Sequence, residues 1–208
     1  MKISYEKNYI EHIYIGLSNS VFKVNNNEVS IEIFFQSITD FLKKTVLKNG
    51  KIFFFGNGAS AAFSNHMALD WSKNGGIISL SLSDSAMLTA LANDYSYEES
   101  FVEFLKINNP TKNDLVITTS SSGNSPNIVS VLKYCSNNNI KTLGLSGLKD
   151  DNESVQLSNY SLFVPMKTYG MVECIHQIFH HILLDKFMAI NEWEKLEPQN
   201  MNSKDFKL

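Results

Sequence analysis

The stretch Leu115-Val-Ile-Thr-Thr-Ser-Ser-Ser-Gly-Asn-Ser-Pro126 passes from an apolar run to a cluster of small hydroxyl side chains and then to a proline. The apolar part reads as a strand. Pro126 suits the first turn of a helix, where its missing N–H has no partner to lose. A strand that leads through a small-residue loop into a helix is the unit of a parallel α/β sheet, and the loop then lies at the strand's carboxyl end, where such sheets bind ligands. Hydroxyls together with backbone N–H groups at a helix N-terminus make an anion site, because the donors point outward and the helix dipole is positive there. Gly123 allows close approach of the backbone. A solvated Ser-rich loop has the same composition, but the position between a strand and a Pro-opened helix favours a phosphate.

Working outward, β-rich runs at Ile52 to Phe55, Ile77 to Leu82, Thr142 to Leu145 and Leu162 to Val164 join Leu115 to Thr118 and alternate with helical stretches. The pattern predicts an α/β three-layer sandwich with a central five-stranded parallel sheet. Ahead of it, Tyr5 to Val21 and Val29 to Leu47 carry apolar residues at helical spacing, with Asn25 to Asn27 as the turn between them. This N-terminal helical hairpin, about residues 1–49, is a surface that suits packing against another subunit. A last helix is expected from about Tyr169 to Ile190. Residues 1–190 read as one domain, and 191–208 as a polar tail whose beginning Trp193 pins.

Bulk properties narrow the function. With 18 Lys+Arg against 21 Asp+Glu the net charge is -3, which offers no basic footprint for nucleic acid. Cys135 and Cys174 are the only cysteines, too few for a disulfide framework or a Cys-based zinc site, and a reducing cytoplasm fits them. Lys2, Glu6 and Lys7 interrupt any apolar signal core near the start, and no long apolar run follows, so neither export nor a membrane span is expected.

A second loop, Gly56-Asn57-Gly58-Ala59-Ser60, follows the first strand of the sheet and falls on the same edge. It lacks the third glycine of a dinucleotide fingerprint, although Asp84 after the next strand could serve as its ribose carboxylate. The two loops holding one small phosphorylated ligand is the better reading. In the next helix His66 and Asp70 stand four residues apart and share a face, as a surface hydrogen-bonded pair also would. Glu173, His176, His180 and His181 lie in the last helix, so His66, Asp70, Glu173 and His181 form a His/carboxylate set suited to zinc or another divalent metal. Glu173 and His181 are separated by about 12 Å of rise and roughly 80° of rotation. They meet one ion only by leaning together or by serving a site shared with a neighbouring subunit; otherwise there is no such metal. His176 and His180 fit a core or an interface equally well.

These loops resemble the sugar isomerase (SIS) domain, and within it the phosphoheptose isomerases. The resemblance covers most of the chain: both leading helices, Gly56 to Ser60 with His66, Ala92-Asn-Asp94, Ser120 to Ser125, Ser146-Gly147, Val164-Pro165, and Ile175-His176 through His181. It implies a flavodoxin-like doubly wound fold. It also implies an aldose–ketose isomerase that converts sedoheptulose 7-phosphate to D-glycero-D-manno-heptose 7-phosphate for lipopolysaccharide, capsule or another surface glycan. By the same resemblance Ser120, Ser121, Ser122 and Ser125 bind phosphate. Asn57, Gly58, Ser60, Asn93, Asp94 and Glu173 contact the sugar, His66, Asp70, Glu173 and His181 hold zinc, and Asp70 with His181 is the acid/base pair. A cytoplasmic homotetramer with sites completed across subunits is implied as well. The chain departs from the family in having Asp70 for Glu and Glu173 for Gln. It also has Lys73 or Asn74 where an Arg is customary, and Gly170-Met171 for Asp-Arg. Those losses point also to a different phosphosugar, or to a SIS module that binds without catalysis.

Overall fold

The computed structural model describes residues 3–191. The chain begins with α1 (Tyr5–Ser18), the short strands β1 (Val21–Val24) and β2 (Asn27–Glu28), and α2 (Ile31–Leu47). It continues through β3 (Ile52–Gly56), α3 (Ala59–Lys73), β4 (Ser79–Ser81), α4 (Ser85–Asp94) and α5 (Ser100–Ile107). The second half comprises β5 (Leu115–Ser120), α6 (Pro126–Asn137), β6 (Lys141–Gly147), α7 (Glu153–Leu157), β7 (Tyr160–Val164) and α8 (Tyr169–Met188).

Alternation along the strands explains the layers. In β3, Ile52 and Phe54 join one apolar cluster while Phe53 and Phe55 join another, and all four are at most 1% exposed. Because side chains alternate across a sheet, a strand apolar at every position must be covered on both faces. One face is covered by α2, α3 and α8 through Phe34, Ile38, Leu42, Met67, Trp71, Ile175 and Phe179. The other is covered by α5 and α6 through Phe101, Leu105, Ile128, Val131 and Leu132. Each fully buried side chain of this size contributes roughly 1.5–3 kcal/mol relative to leaving it in water.

The strand order is β2-β1-β7-β6-β5-β3-β4, with the five strands β7 to β4 parallel. Counting from β3, the chain first adds β4 on one side and then β5, β6 and β7 on the other. The direction of winding therefore reverses between β3 and β5, which opens a crevice at their carboxyl ends. The five-stranded parallel core agrees with the sequence pattern.

The sheet also gains two strands that the pattern does not announce. Val21, expected as the end of the first helix, instead begins β1, which pairs antiparallel with β7, while β1 and β2 form a hairpin. Asn25 and Asn26 occupy its turn at φ 49° and 65°, a left-handed pair that two-residue hairpins require and asparagine tolerates. The hairpin covers the edge of β7 and leaves the two-residue β2 as the edge on that side of the sheet. Of the expected polar tail only Asn191 is described; Trp193 and the rest lie outside the described residues.

Candidate active site

The β5–α6 loop forms a cradle at the crevice. Gly123 lies at φ +66°, and a Cβ there would overlap the Asn152 side chain, so only glycine fits. The Gly123 N–H donates to the Ser120 carbonyl at 3.0 Å, and the Ser121 carbonyl accepts from Gly147 N–H at 3.0 Å. Asn152 caps α7 through Val155 N–H and donates to Ser146 Oγ at 3.2 Å, so the next loop braces the turn. Ser120 Oγ lies 3.3 Å from Ser125 Oγ and accepts from Gly123 N–H at 3.2 Å. Ser121 Oγ is buried and has no partner among the described residues. A buried hydroxyl left unpaired costs about 1–3 kcal/mol, and this one belongs to a residue that lines a cleft.

That cleft, of about 130 Å³, is lined by Ser120, Ser121, Ser122, Ser125 and Thr119 from the β5 end, Asn57 and Ser60 from the β3 end, and Tyr169 and Glu173 from α8. The structure thus brings together the four serines with Asn57, Ser60 and Glu173. Gly58, at φ +57°, is the exposed N-cap of α3 beside them. Asn93 and Asp94 stand apart from the cleft lining: they are exposed at the end of α4, where Asn93 Nδ2 donates to Asp94 Oδ1 at 3.0 Å. Asp84, the candidate ribose carboxylate, caps α4 by accepting from Met87 N–H at 2.7 Å, so the dinucleotide reading loses its acid.

Three partners escaped the sequence reading. Asn127 exchanges amide hydrogen bonds with Asn57 at 2.9 Å in each direction, and Tyr97 Oη donates to Asn57 Oδ1 at 2.9 Å. Tyr169 enters the cleft from the first turn of α8. Asn127 directly follows Pro126 and was legible as a residue of the helix start; nothing in the local pattern marks Tyr97.

From the cleft, α3 and α8 run side by side along one face of the sheet and carry the remaining candidates. His66 Nε2 lies 3.1 Å from Asp70 Oδ2. The rings of His66 and His181 are 5.4 Å apart. His66, Asp70 and His181 each offer a ligand atom within 4.8 Å of the others. Four tetrahedral zinc ligands at about 2.0–2.1 Å stand about 3.3 Å from one another, so two imidazoles and a carboxylate at these separations fit a divalent ion after small side-chain movements. Glu173 is not in this group. Between it and His181 stands Gln177, whose Nε2 is 2.9 Å from His181 Nε2 and whose Oε1 is buried without a partner among the described residues.

The other two histidines are structural. His176 Nε2 meets the Ser146 carbonyl at 3.0 Å, and burial pulls its pKa down to about 4. His180 Nε2 meets Thr119 Oγ1 at 2.9 Å, tying α8 to the cradle strand. Burial above all, then the neighbouring histidines, pulls its pKa to about 3, so both rings are neutral near pH 7.

The SIS domain family profile matches residues 30–147, which contain both loops and the α3 pair. The phosphoheptose isomerase of Helicobacter pylori strain Shi470 is 38% identical over 153 residues, covering 69% of this chain and 77% of that protein. The chain belongs to the SIS-domain phosphoheptose isomerase family. Solved phosphoheptose isomerases share the fold. GmhA from Neisseria gonorrhoeae superposes with a TM-score of 0.73 at 21% identity, covering 86% of this chain and 96% of that one. The enzyme from Francisella tularensis gives 0.74 at 19%, covering 90% and 95%. The serine cradle at the switch point and the His/Asp/His group on α3 and α8 are the two candidate parts of the site. Among the described residues no helix is long and apolar enough to cross a membrane.

Proposed function

We propose that this chain converts sedoheptulose 7-phosphate to D-glycero-D-manno-heptose 7-phosphate, with phosphate in the serine cradle and the carbonyl end against His66, Asp70 and His181. The observation that carries this is the unpaired, buried Ser121 hydroxyl in a cleft from which α3 and α8 lead to a His/Asp/His group. Ser60 and His66 are six residues apart on α3, and Glu173 and His181 eight apart on α8, which at 1.5 Å per residue separates cradle from group by about 9–12 Å. A seven-carbon chain with bonds of about 1.5 Å extends roughly 10 Å from phosphorus to its far carbonyl, so the length of the substrate matches.

Aldose–ketose isomerisation moves a proton between adjacent carbons through an enediol. One group must take the proton beside the carbonyl while another moves a proton between the two oxygens. Asp70 and His181 divide these roles. His66 holds Asp70 by its 3.1 Å contact and so fixes the carboxylate's direction. A divalent cation, zinc by preference, held by His66, Asp70 and His181 would supply Lewis-acid polarisation of the carbonyl. Glu173 accepts from a sugar hydroxyl, and Asn57, whose Oδ1 already accepts from Asn127 and Tyr97, donates its remaining amide N–H to another.

Assembly with further copies is supported by α1, where Tyr5, Ile10 and Tyr14 are 69–77% exposed, more apolar surface than one helix of a monomer usually leaves bare. A second reading, an isomerase for a different phosphosugar, is favoured by Gly170. With Met171 it stands where the family has Asp-Arg, and both line a separate cleft of about 420 Å³ beside Tyr5, Asn8, Tyr9 and His12. Turnover of sedoheptulose 7-phosphate by the purified protein, with Asp70→Asn and His181→Ala alongside, tests the proposal. Loss of at least a hundredfold in kcat in both variants is expected; turnover undiminished in either removes that residue from the mechanism, and turnover of another ketose phosphate alone favours the second reading.

A further inference from the structure

The family usually places a glutamine where this chain has Glu173, yet a glutamine stands one turn further along the same face of α8. Positions 173, 177 and 181 are each four apart, so their side chains succeed one another up the helix, and Gln177 is the one that adjoins His181. Its amide nitrogen is 2.9 Å from His181 Nε2 and 3.6 Å from Met67 Sδ. Its carbonyl oxygen is buried with no partner among the described residues. Glu173, by contrast, lines the serine cleft. A carboxylate is a stronger metal donor than an amide, but this carboxylate is not in the group of ligand atoms that lie within 4.8 Å of one another.

Resting on the metal reading given above, we propose that Gln177 completes the cation site of this chain, its amide oxygen acting as a ligand with His66, Asp70 and His181 and leaving Glu173 to the sugar. Three observations converge on this. The amide torsion of glutamine is broad and roughly two-fold, so a half-turn exchanges the two ends and brings the orphaned oxygen to the position 2.9 Å from His181 Nε2. That separation, and the 3.1 Å between His66 Nε2 and Asp70 Oδ2, are both close to the spacing of about 3.3 Å between neighbouring ligands of one tetrahedral ion. The contact with Met67 Sδ also holds the amide beside His181. The ligand charge also changes: with a neutral amide in place of a second carboxylate, a dication in this set keeps a net positive charge and polarises a carbonyl more strongly.

The test strips the full-length protein with chelator and titrates zinc(II) by calorimetry and cobalt(II) by its visible absorption. Wild type, Gln177→Leu, Gln177→Glu and Glu173→Gln are compared. Gln177→Leu is expected to bind zinc at least tenfold more weakly and to alter the intensity of the cobalt bands, which report coordination number. Gln177→Glu, which supplies a stronger oxygen donor, is expected to bind zinc at least as tightly as wild type, and Glu173→Gln to stay within threefold of it. If the leucine variant fails to fold in its metal-free form, Gln177→Met, which keeps the contact with Met67, is read in the same way. Zinc affinity and cobalt bands unchanged in Gln177→Leu, or lost in Glu173→Gln instead, overturn the assignment while leaving the metal reading intact. A wild-type protein that takes up neither ion overturns both.

Discussion

Replacing Ser121 by alanine separates binding from stability more cleanly than any other change in the cradle. Its hydroxyl is buried and has no partner among the described residues, and the residue lines the cleft. Deleting an unpaired buried hydroxyl removes a desolvation cost of about 1–3 kcal/mol and breaks nothing in the free protein, so folding stability should hold or rise. When phosphate is bound, the same hydroxyl is expected to donate a charge-assisted hydrogen bond worth about 1.5–3 kcal/mol, so its loss should weaken binding by about 10- to 150-fold. Ser120 provides the contrast. Its Oγ accepts from Gly123 N–H and meets Ser125 Oγ, so Ser120→Ala should cost both affinity and about 1 kcal/mol of stability. Calorimetric titration with sedoheptulose 7-phosphate, paired with urea melts of each variant, reads both quantities. Unchanged affinity in Ser121→Ala together with a lowered urea midpoint would refute the reasoning, because the hydroxyl would then serve the fold and not the ligand.

Three further outcomes are expected. His176 titrates at about 4 in the folded chain against 6.5 when unfolded, a base whose charged form burial disfavours. The unfolded state therefore binds more protons below pH 6.5, and the stability from this ring, complete above that pH, should fall by about 3 kcal/mol as pH drops toward 4, with His180 adding to the loss; melts across this range that stay flat contradict it. Thr119→Val removes the partner of His180 Nε2 inside the core and should cost about 1–3 kcal/mol by urea denaturation, whereas a loss of a few tenths would show that the bond carries no weight. Cys174 is exposed, while burial raises the Cys135 thiol to about 12. A thiol reagent should therefore modify the native chain at Cys174 alone, as peptide mapping would show; rapid labelling at Cys135 would contradict its burial.

What the sequence disclosed and what it concealed follow from the range of the forces involved. The run from Leu115 to Pro126 is decisive because strand, loop chemistry and helix start are all local, and it sits at the switch point as expected. The fully apolar Ile52 to Phe55 likewise announces a strand buried on both faces. The β1–β2 hairpin is too short for a periodic signal, and its existence depends on the free edge of β7, residues 160–164, which no local pattern around Val21 contains. Its trace was Asn25-Asn26, legible as a turn but not as a left-handed pair. At the site, His66, Asp70 and His181 are chemically conspicuous and do converge. Gln177 was passed over because an uncharged amide gives no metal signal until its neighbour is seen. Asn93 and Asp94, expected at the sugar, are exposed at the end of α4 and are not among the residues that line the serine cleft.

The relation between cradle and His/Asp/His group is open to direct observation: a crystal structure of the protein with sedoheptulose 7-phosphate bound. The phosphate should lie within hydrogen-bond distance of the Ser121 hydroxyl, with the first two sugar carbons beside Asp70 and His181 about 10 Å away. A sugar phosphate seated with its phosphate outside Ser120 to Ser125, or with its carbonyl end turned away from α3 and α8, would contradict the assignment.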